Sequence, residues 1–322
     1  MIIYFYSNKP KAGKSLILSA FSYLMSEKNI KNIAINPILN NSLNDTQQTQ
    51  SNFNELLSQS TKFKPKDIAQ VKSKQSINDL SKEIEALTKK YKIVLVEVNN
   101  EISSKLNPVS SNIESKKLLI NEFSKNGNIK DINDFKNLDW IIYNKIPKYK
   151  SSYIESSIKP KLKENKEKLI ATIPETRLLN SMTIDQLKIF LNGEYINEDN
   201  TDLLIENYLI GTPRMDSGKD YYSSFENSAV IVRTDRPDIQ MSAIYQNVNC
   251  LILAGKNEIA DYVMYEARER NIPLIQLDSN TMETAKQINL INNKINPFNP
   301  DKIKSIAKII KSQIDISKLI SV

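Results

Sequence analysis

The residues best placed to do chemistry are Gly13, Lys14 and Ser15, within Ser7-Asn8-Lys9-Pro10-Lys11-Ala12-Gly13-Lys14-Ser15. An apolar, aromatic stretch precedes them from Tyr4, and an apolar helical stretch follows to Ser22. In that order a strand delivers a loop to a helix N-terminus, and backbone N–H groups converge on phosphate oxygens. Asn8, Lys9, Lys11, Ala12 and Gly13 would form the cradle. Lys14 would reach the β- and γ-phosphates, and the Ser15 hydroxyl would hold Mg²⁺. The full pattern begins on glycine, and Asn8 stands in its place. Asparagine tolerates left-handed backbone better than other non-glycine residues, so the loop is expected to keep its shape.

A carboxylate should support that metal. Lys92–Val98 (KIVLVEV) is a nearly unbroken Val/Ile run, the pattern of a parallel strand buried on both faces. It carries Glu97 at its end, where an acidic group holds metal or orients water. Asp45, in the polar stretch from Asn40 to Asn54, is a second candidate metal ligand. Lys14 and Glu97 are the candidate catalytic pair.

Composition narrows the alternatives. The chain has no histidine and one cysteine. Histidine bases, Ser–His–Asp triads and Cys/His metal sites are therefore excluded, and any metal should be a hard ion held by oxygen. Cys250 lies in the apolar run VNCLILAG and reads as a buried small residue. The 44 basic and 37 acidic residues are interleaved, so the formal charge of +7 reads as solvated surface without a nucleic-acid stripe. No apolar run is long enough for a bilayer, and no secretory signal opens the chain. The expectation is a cytoplasmic protein with no membrane or nucleic-acid partner.

The elements that must position these residues alternate. After the first helix come candidate strands at Lys31–Asn36, Lys92–Val98, Lys116–Phe123, Leu138–Lys145 and Lys168–Ile173, with a helical pattern within Lys64–Lys89. Strands separated by helical segments predict a parallel sheet with crossover helices. The first domain is set at 1–175, and the second at 176–322 with a C-terminal helix. In the second, a helix spans Ser181–Leu191, capped by Ser181 or Thr183 and ended by Gly193, and an extended Leu203–Gly211 follows. Three strand–helix pairs come next, at Ala229–Gln246, Val248–Arg270 and Pro273–Ile291. Ile303, Ile306, Ile310 and Ile314 keep helical spacing. The fold class is α/β: a P-loop parallel-sheet domain, then a smaller α/β domain of two or three layers. Right-handed crossovers would gather Asp235, Arg236, Gly255 and Lys256 at one sheet edge as a second, anion-attracting ligand site.

Several segments resemble known families. Ser7–Ser15, Val94-Leu95-Val96-Glu97-Val98, Asp139–Pro147 (DWIIYNKIP) and Ile173–Leu179 (IPETRLL) resemble, in the same order, motifs of the dethiobiotin synthetase-like P-loop domain. The resemblance is in particular to the version at the N-terminus of long phosphate acetyltransferases and in related stand-alone proteins. Asp235-Arg236-Pro237-Asp238-Ile239-Gln240, Ala254-Gly255-Lys256, Leu209–Pro213 and Asp278–Ala285 resemble the DRTGG domain that accompanies it. Asn36 replaces a frequent lysine, Val98 a glycine, and the T-G-G motif is altered. The resemblance implies a regulatory protein that binds ATP and Mg²⁺, with a ligand-sensing or dimerising second domain. It also implies a homodimer, and a link to acetyl-phosphate or acetyl-CoA metabolism through a phosphate acetyltransferase or another metabolic enzyme. The chain ends where an acetyltransferase domain would begin, so that activity is not expected of it alone. Any ATP hydrolysis is expected to be slow, and the alternatives are an ATP-dependent ligase of the dethiobiotin synthetase kind using Lys9 or Lys11 and a scaffold that no longer binds nucleotide.

Overall fold

Strands buried on both faces carry apolar residues without alternation, and β1 (Ile2–Ser7), β2 (Asn32–Ile35) and β3 (Ile93–Glu97) are buried at every position. The computed structural model of the chain describes residues 1–35, 77–98, 113–123, 138–160, 168–212, 215–290 and 299–320. It divides into two compact units, Met1–Glu175 with Pro297–Val322, and Thr176–Asn296. Asn36, Asp45 and the polar stretch around Asp45 lie outside the described residues. Among those described, no helix is long and apolar enough to cross a membrane.

The first unit continues with α1 (Lys14–Glu27), α2 (Ile77–Thr88), β4 (Ser115–Glu122), β5 (Trp140–Ile146) and β6 (Lys168–Pro174). Its six strands run β2-β3-β1-β4-β5-β6, all parallel. The chain fills the β2–β3 side first and then passes β1 to build β4, β5 and β6. The order reverses at β1, and in an open parallel sheet ligands sit beyond the carboxyl ends at such a point. Register makes those ends coincide: Phe5 faces Glu97, Ser7 faces Ile120, and Glu122 faces Asn144.

Helix α1 is apolar nearly all round, burying Leu16, Ile17, Leu18, Ala20, Phe21, Leu24 and Met25. One face lies on the sheet, and the other is covered by α8 (Pro300–Gln313). Ile303, Ile306 and Ile310 of α8 are buried. Lys311 pairs with Glu27 at 3.1 Å, and Lys28 pairs with Asp315. Gln313 accepts the Thr172 amide proton at 2.8 Å and donates to the Thr172 carbonyl at 2.7 Å, closing the free edge of β6. This corrects the domain assignment from sequence: the C-terminal helix belongs to the first unit. Periodicity shows that a helix has an apolar stripe; it does not say which surface the stripe meets. The helix also stops at Gln313, with Ile314 extended, and α9 (Ile316–Ile320) follows.

In the second unit β7 (Met182–Thr183) leads into α3 (Ile184–Leu191), whose capping box uses Thr183 and Gln186. Its end is Asn192, left-handed at φ 54°, and Gly193 has a different task. A Cβ there would come within 2.5 Å of Ile275 and 2.6 Å of Leu277. After β8 (Glu194–Asn197), β9 (Leu204–Ile205), β10 (Asn207–Ile210) and α4 (Met215–Ser223) come three strand–helix pairs. They are β11 (Ser228–Arg233) with α5 (Pro237–Tyr245), β12 (Cys250–Ala254) with α6 (Asp261–Glu269), and β13 (Leu274–Leu277) with α7 (Thr281–Ile288). The sheet order is β10-β11-β12-β13-β8, with β8 antiparallel to β13. Val230, Val232, Leu251 and Leu253 face a core with α5 and α6, while Ala229, Ile231, Cys250 and Ile252 face a core with α3 and α7. The architecture is therefore three-layered. Cys250 is buried, as its neighbours predict.

The chain has one tryptophan, Trp140, buried in β5 of the first unit. Ile310→Ala is expected to destabilise that unit by about 2–5 kcal/mol, read as a lower urea midpoint in Trp140 fluorescence. An unchanged midpoint would mean that α8 does not hold the P-loop unit together.

Candidate functional site

Between β1 and α1 the backbone turns left-handed twice, at Lys11 (φ 58°) and Gly13 (φ 95°). Asn8 does not, contrary to the sequence reading; its side chain does the work instead. Its amide oxygen accepts the Glu122 N–H at 2.9 Å, and its amide nitrogen lies 3.4 Å from the Glu122 carbonyl. The loop is thereby tied to the end of β4. The Ser7 hydroxyl donates to the Lys9 carbonyl at 2.9 Å, and Lys9 and Lys11 lie exposed on the outside. Gly13 is the N-cap of α1, no side chain among the described residues caps the helix, and no acidic residue lies in its first turn. The first N–H groups of a helix have no intrahelical acceptor, so this uncapped end is suited to an anion.

Lys14 donates to the Val98 carbonyl at 2.6 Å, and Ser15 donates from Oγ to Glu97 Oε1 at 2.9 Å. Glu97 is buried, and its second oxygen, Oε2, has no hydrogen-bond partner among the described residues. Burial pushes the Glu97 carboxyl above the ordinary range, while Lys14 and the Ser15 hydroxyl pull it back. Burial lowers the Lys14 ammonium, with Glu97 opposing. A buried carboxylate with one orphaned oxygen beside a hydroxyl is a poor solvent for itself and a good one for a hard cation. The 2.9 Å between Ser15 Oγ and Glu97 Oε1 also matches the edge of an octahedron with about 2.0–2.1 Å metal–oxygen bonds. The residues present therefore fit Mg²⁺. No group of three or more Cys, Asp and Glu gathers among the described residues, so nucleotide and water oxygens would complete the shell.

Three further residues complete the site. The Asn144 amide donates to the Ala12 carbonyl at 2.8 Å. Lys145 Nζ donates to the Lys11 carbonyl at 2.9 Å and pairs with Glu122 at 3.0 Å. In the sequence Asn144 and Lys145 stand out only within the resembling segment DWIIYNKIP, with nothing to connect them to the loop. The available signal was a polar Asn-Lys pair closing an otherwise apolar strand.

In the second unit, Arg233, Thr234, Asp235, Ala254, Gly255 and Asp278 help line a cavity of about 420 Å³ beyond the ends of β11, β12 and β13. Asp235 and Gly255 stand where the sequence puts them. Gly255 takes φ 106°, and a Cβ there would lie 3.1 Å from Thr234 Oγ1. Arg236 and Lys256 do not line the cavity. Arg236 turns to Asp238 at 2.7 Å, and Lys256 pairs with Asp278 at 2.9 Å. Arg233, which sequence reasoning passed over as the last strand residue, lines it in their place and is paired with Asp235. The cavity is thus mixed in charge rather than a cationic edge.

The first unit is thus an open parallel sheet with a Gly-Lys-Ser loop at its switch point, and the second a three-layer α/β unit. Residues 186–291 match the DRTGG domain family, so a DRTGG domain is present there. Similar solved structures include the CBS and DRTGG domains of the regulatory region of Clostridium perfringens pyrophosphatase complexed with an activator, diadenosine tetraphosphate. That likeness has 20% identity over 35% of this chain and 50% of that one, with TM-score 0.30. The chain thus spans half the length of that structure. Others are the MinC:MinD cell division protein complex of Aquifex aeolicus (17% identity, 55% and 83% coverage, TM-score 0.38) and MinD from the same organism (19%, 54% and 82%, 0.36).

Glu97 gives a pH signature. Its carboxyl is raised by burial, so the ionised form is the one the fold disfavours. Stability is fully present below the unfolded value of 4.5 and falls as pH rises through the folded value. Glu97→Gln removes that loss. Without nucleotide it should raise the melting temperature of the first unit at neutral pH, and the gain should vanish below pH 4.5. A gain independent of pH would show that Glu97 is not held in the buried, charge-averse state described.

Proposed function

We propose that the chain is a regulatory nucleotide-binding protein. Mg–ATP binds the first unit at Gly13, Lys14 and Ser15, with Glu97 supporting the metal, and the DRTGG domain senses a ligand at its cavity. The observation that carries the reading is the Ser15–Glu97 contact with the orphaned Oε2, beside an uncapped helix N-terminus. The ordered series of segments resembling a dethiobiotin synthetase-like domain supports it. By that resemblance alone, the reading extends to a homodimer and to a partner enzyme of acetyl-phosphate or acetyl-CoA metabolism.

Hydrolysis should be slow. Residues 1–176 and 297–322 contain no arginine, so the first unit has no guanidinium to stabilise charge on a transferring phosphoryl group. The cavity's Asp235, Asp278 and Arg233 offer acceptors and one shared cation, which suits a ligand rich in hydroxyl or amino donors joined to an anion. Its volume lies within the ordinary range for small-ligand sites.

Calorimetric titration of Mg–ATP into the wild type and Lys14→Ala tests the first half. Loss of a charge-assisted hydrogen bond worth about 1.5–3 kcal/mol should weaken binding about 10- to 100-fold. No heat in either protein would sink the nucleotide reading. Titrating diadenosine tetraphosphate and ATP into Lys14→Ala, in which binding at the first unit is weakened, tests the second unit. Heat that persists there and disappears in Lys14→Ala/Gly255→Val would locate a ligand at the cavity, and heat that Gly255→Val leaves intact would place it elsewhere.

A further inference from the structure

The conformation of the Gly-Lys-Ser loop is not self-supporting. Two residues in its last turns, Lys11 and Gly13, are left-handed, and left-handed lysine is disfavoured without outside support. Asn144 and Lys145 supply that support from β5. Their side chains reach the carbonyls of Ala12 and Lys11, two consecutive peptide units, at 2.8 and 2.9 Å. Lys145 is itself left-handed (φ 55°), and its N–H donates to Asn144 Oδ1 at 2.9 Å, which fixes the Asn144 amide. The fit is tight: a Cβ on Gly13 would lie 2.4 Å from Asn144 Nδ2. Glu122 joins the two ends of the arrangement, holding Lys145 Nζ by its carboxylate and Asn8 by its backbone.

We infer that Asn144 and Lys145 are positioning residues of the phosphate loop, with Glu122 as the counter-ion that aims Lys145 at the loop carbonyl. Turning the carbonyls of Lys11 and Ala12 toward β5 leaves the following N–H groups free to face the other way, into the cradle. A peptide unit is planar and trans, so fixing its oxygen fixes the direction of its N–H. The loop is thus set for an anion before one arrives, and the ordering cost of binding falls. As a statement about polyphosphate binding the inference rests on the proposed nucleotide reading; as a statement about loop conformation it does not.

The test compares full-length wild type with Asn144→Ala and Lys145→Met in two measurements. The first is backbone amide exchange across residues 8–17 without ligand. Exchange there should speed by at least about ten-fold in both variants, while strands β1 and β3 keep wild-type rates. Unchanged loop exchange overturns the inference, and faster exchange throughout the sheet shows a general structural role and overturns it too. The second is calorimetric affinity for Mg–ATP and for Mg–tripolyphosphate, which has no base or sugar. Both affinities should fall by the same factor, about ten-fold. A fall for ATP with tripolyphosphate binding intact would mean that the residues touch the nucleoside, and it would overturn the positioning role. Should the wild type bind neither ligand, the nucleotide reading fails and the exchange result alone decides the inference.

Discussion

Everything at the first site depends on the register of one parallel sheet. Because β1 pairs with both β3 and β4, and β4 with β5, the carboxyl ends of four strands meet at one edge. Glu97 and Glu122 end two of those strands, Asn144 stands two residues before the end of the third, and the loop leaves the fourth. A shift of one residue in any pair would turn the alternate side chains to the opposite face and empty the site. The apolar interiors of these strands therefore do more than form a core: they fix where Glu97, Glu122 and Asn144 must stand.

The electrostatics follow from that placement. Glu97 is buried beside Lys14 and Ser15, so its charge is tolerated but not fully compensated within the protein. A folded domain retains such a group at a cost in stability, and a hard cation with anionic oxygens would remove that cost. Lys14 meanwhile rests on the Val98 carbonyl, and an ammonium has three donors, so this contact does not prevent it from reaching phosphate. With no arginine in the first unit, lysines carry all the positive charge around the loop, and a lysine acts there as a point charge rather than a fork. That chemistry suits holding a nucleotide better than rapid turnover.

The second unit solves a different problem with the same kind of sheet. Its strand ends are short loops stiffened locally, by the Arg233–Asp235 and Arg236–Asp238 pairs and by the capping box of Asn280 and Glu283. Gln240, fully buried, donates to the Arg233 and Thr234 carbonyls and holds the first of those loops from behind. The cations are thereby committed to neighbouring carboxylates, which leaves a cavity of mixed charge. Exposed pairs of this kind contribute little to stability, so their main effect is to set the direction of each side chain.

The sequence by itself determined the alternation of strands and helices, the parallel sheet of the first unit, the parallel strand–helix repeats of the second, the Gly-Lys-Ser loop between a strand and a helix, and Glu97 at a strand end. Each is written in neighbouring residues: apolar runs, helical spacing and loop chemistry are local signals. Tertiary structure alone decided the rest. It assigned α8 to α1 rather than to the second unit and gave Asn8 a side-chain bridge in place of a left-handed turn. It also brought Asn144 and Lys145 to the loop and put Arg233 in the cavity in place of Arg236 and Lys256. These outcomes depend on which surfaces meet and which charge is nearest. Such distances are set by sheet order and register across more than a hundred residues, and no local pattern encodes them.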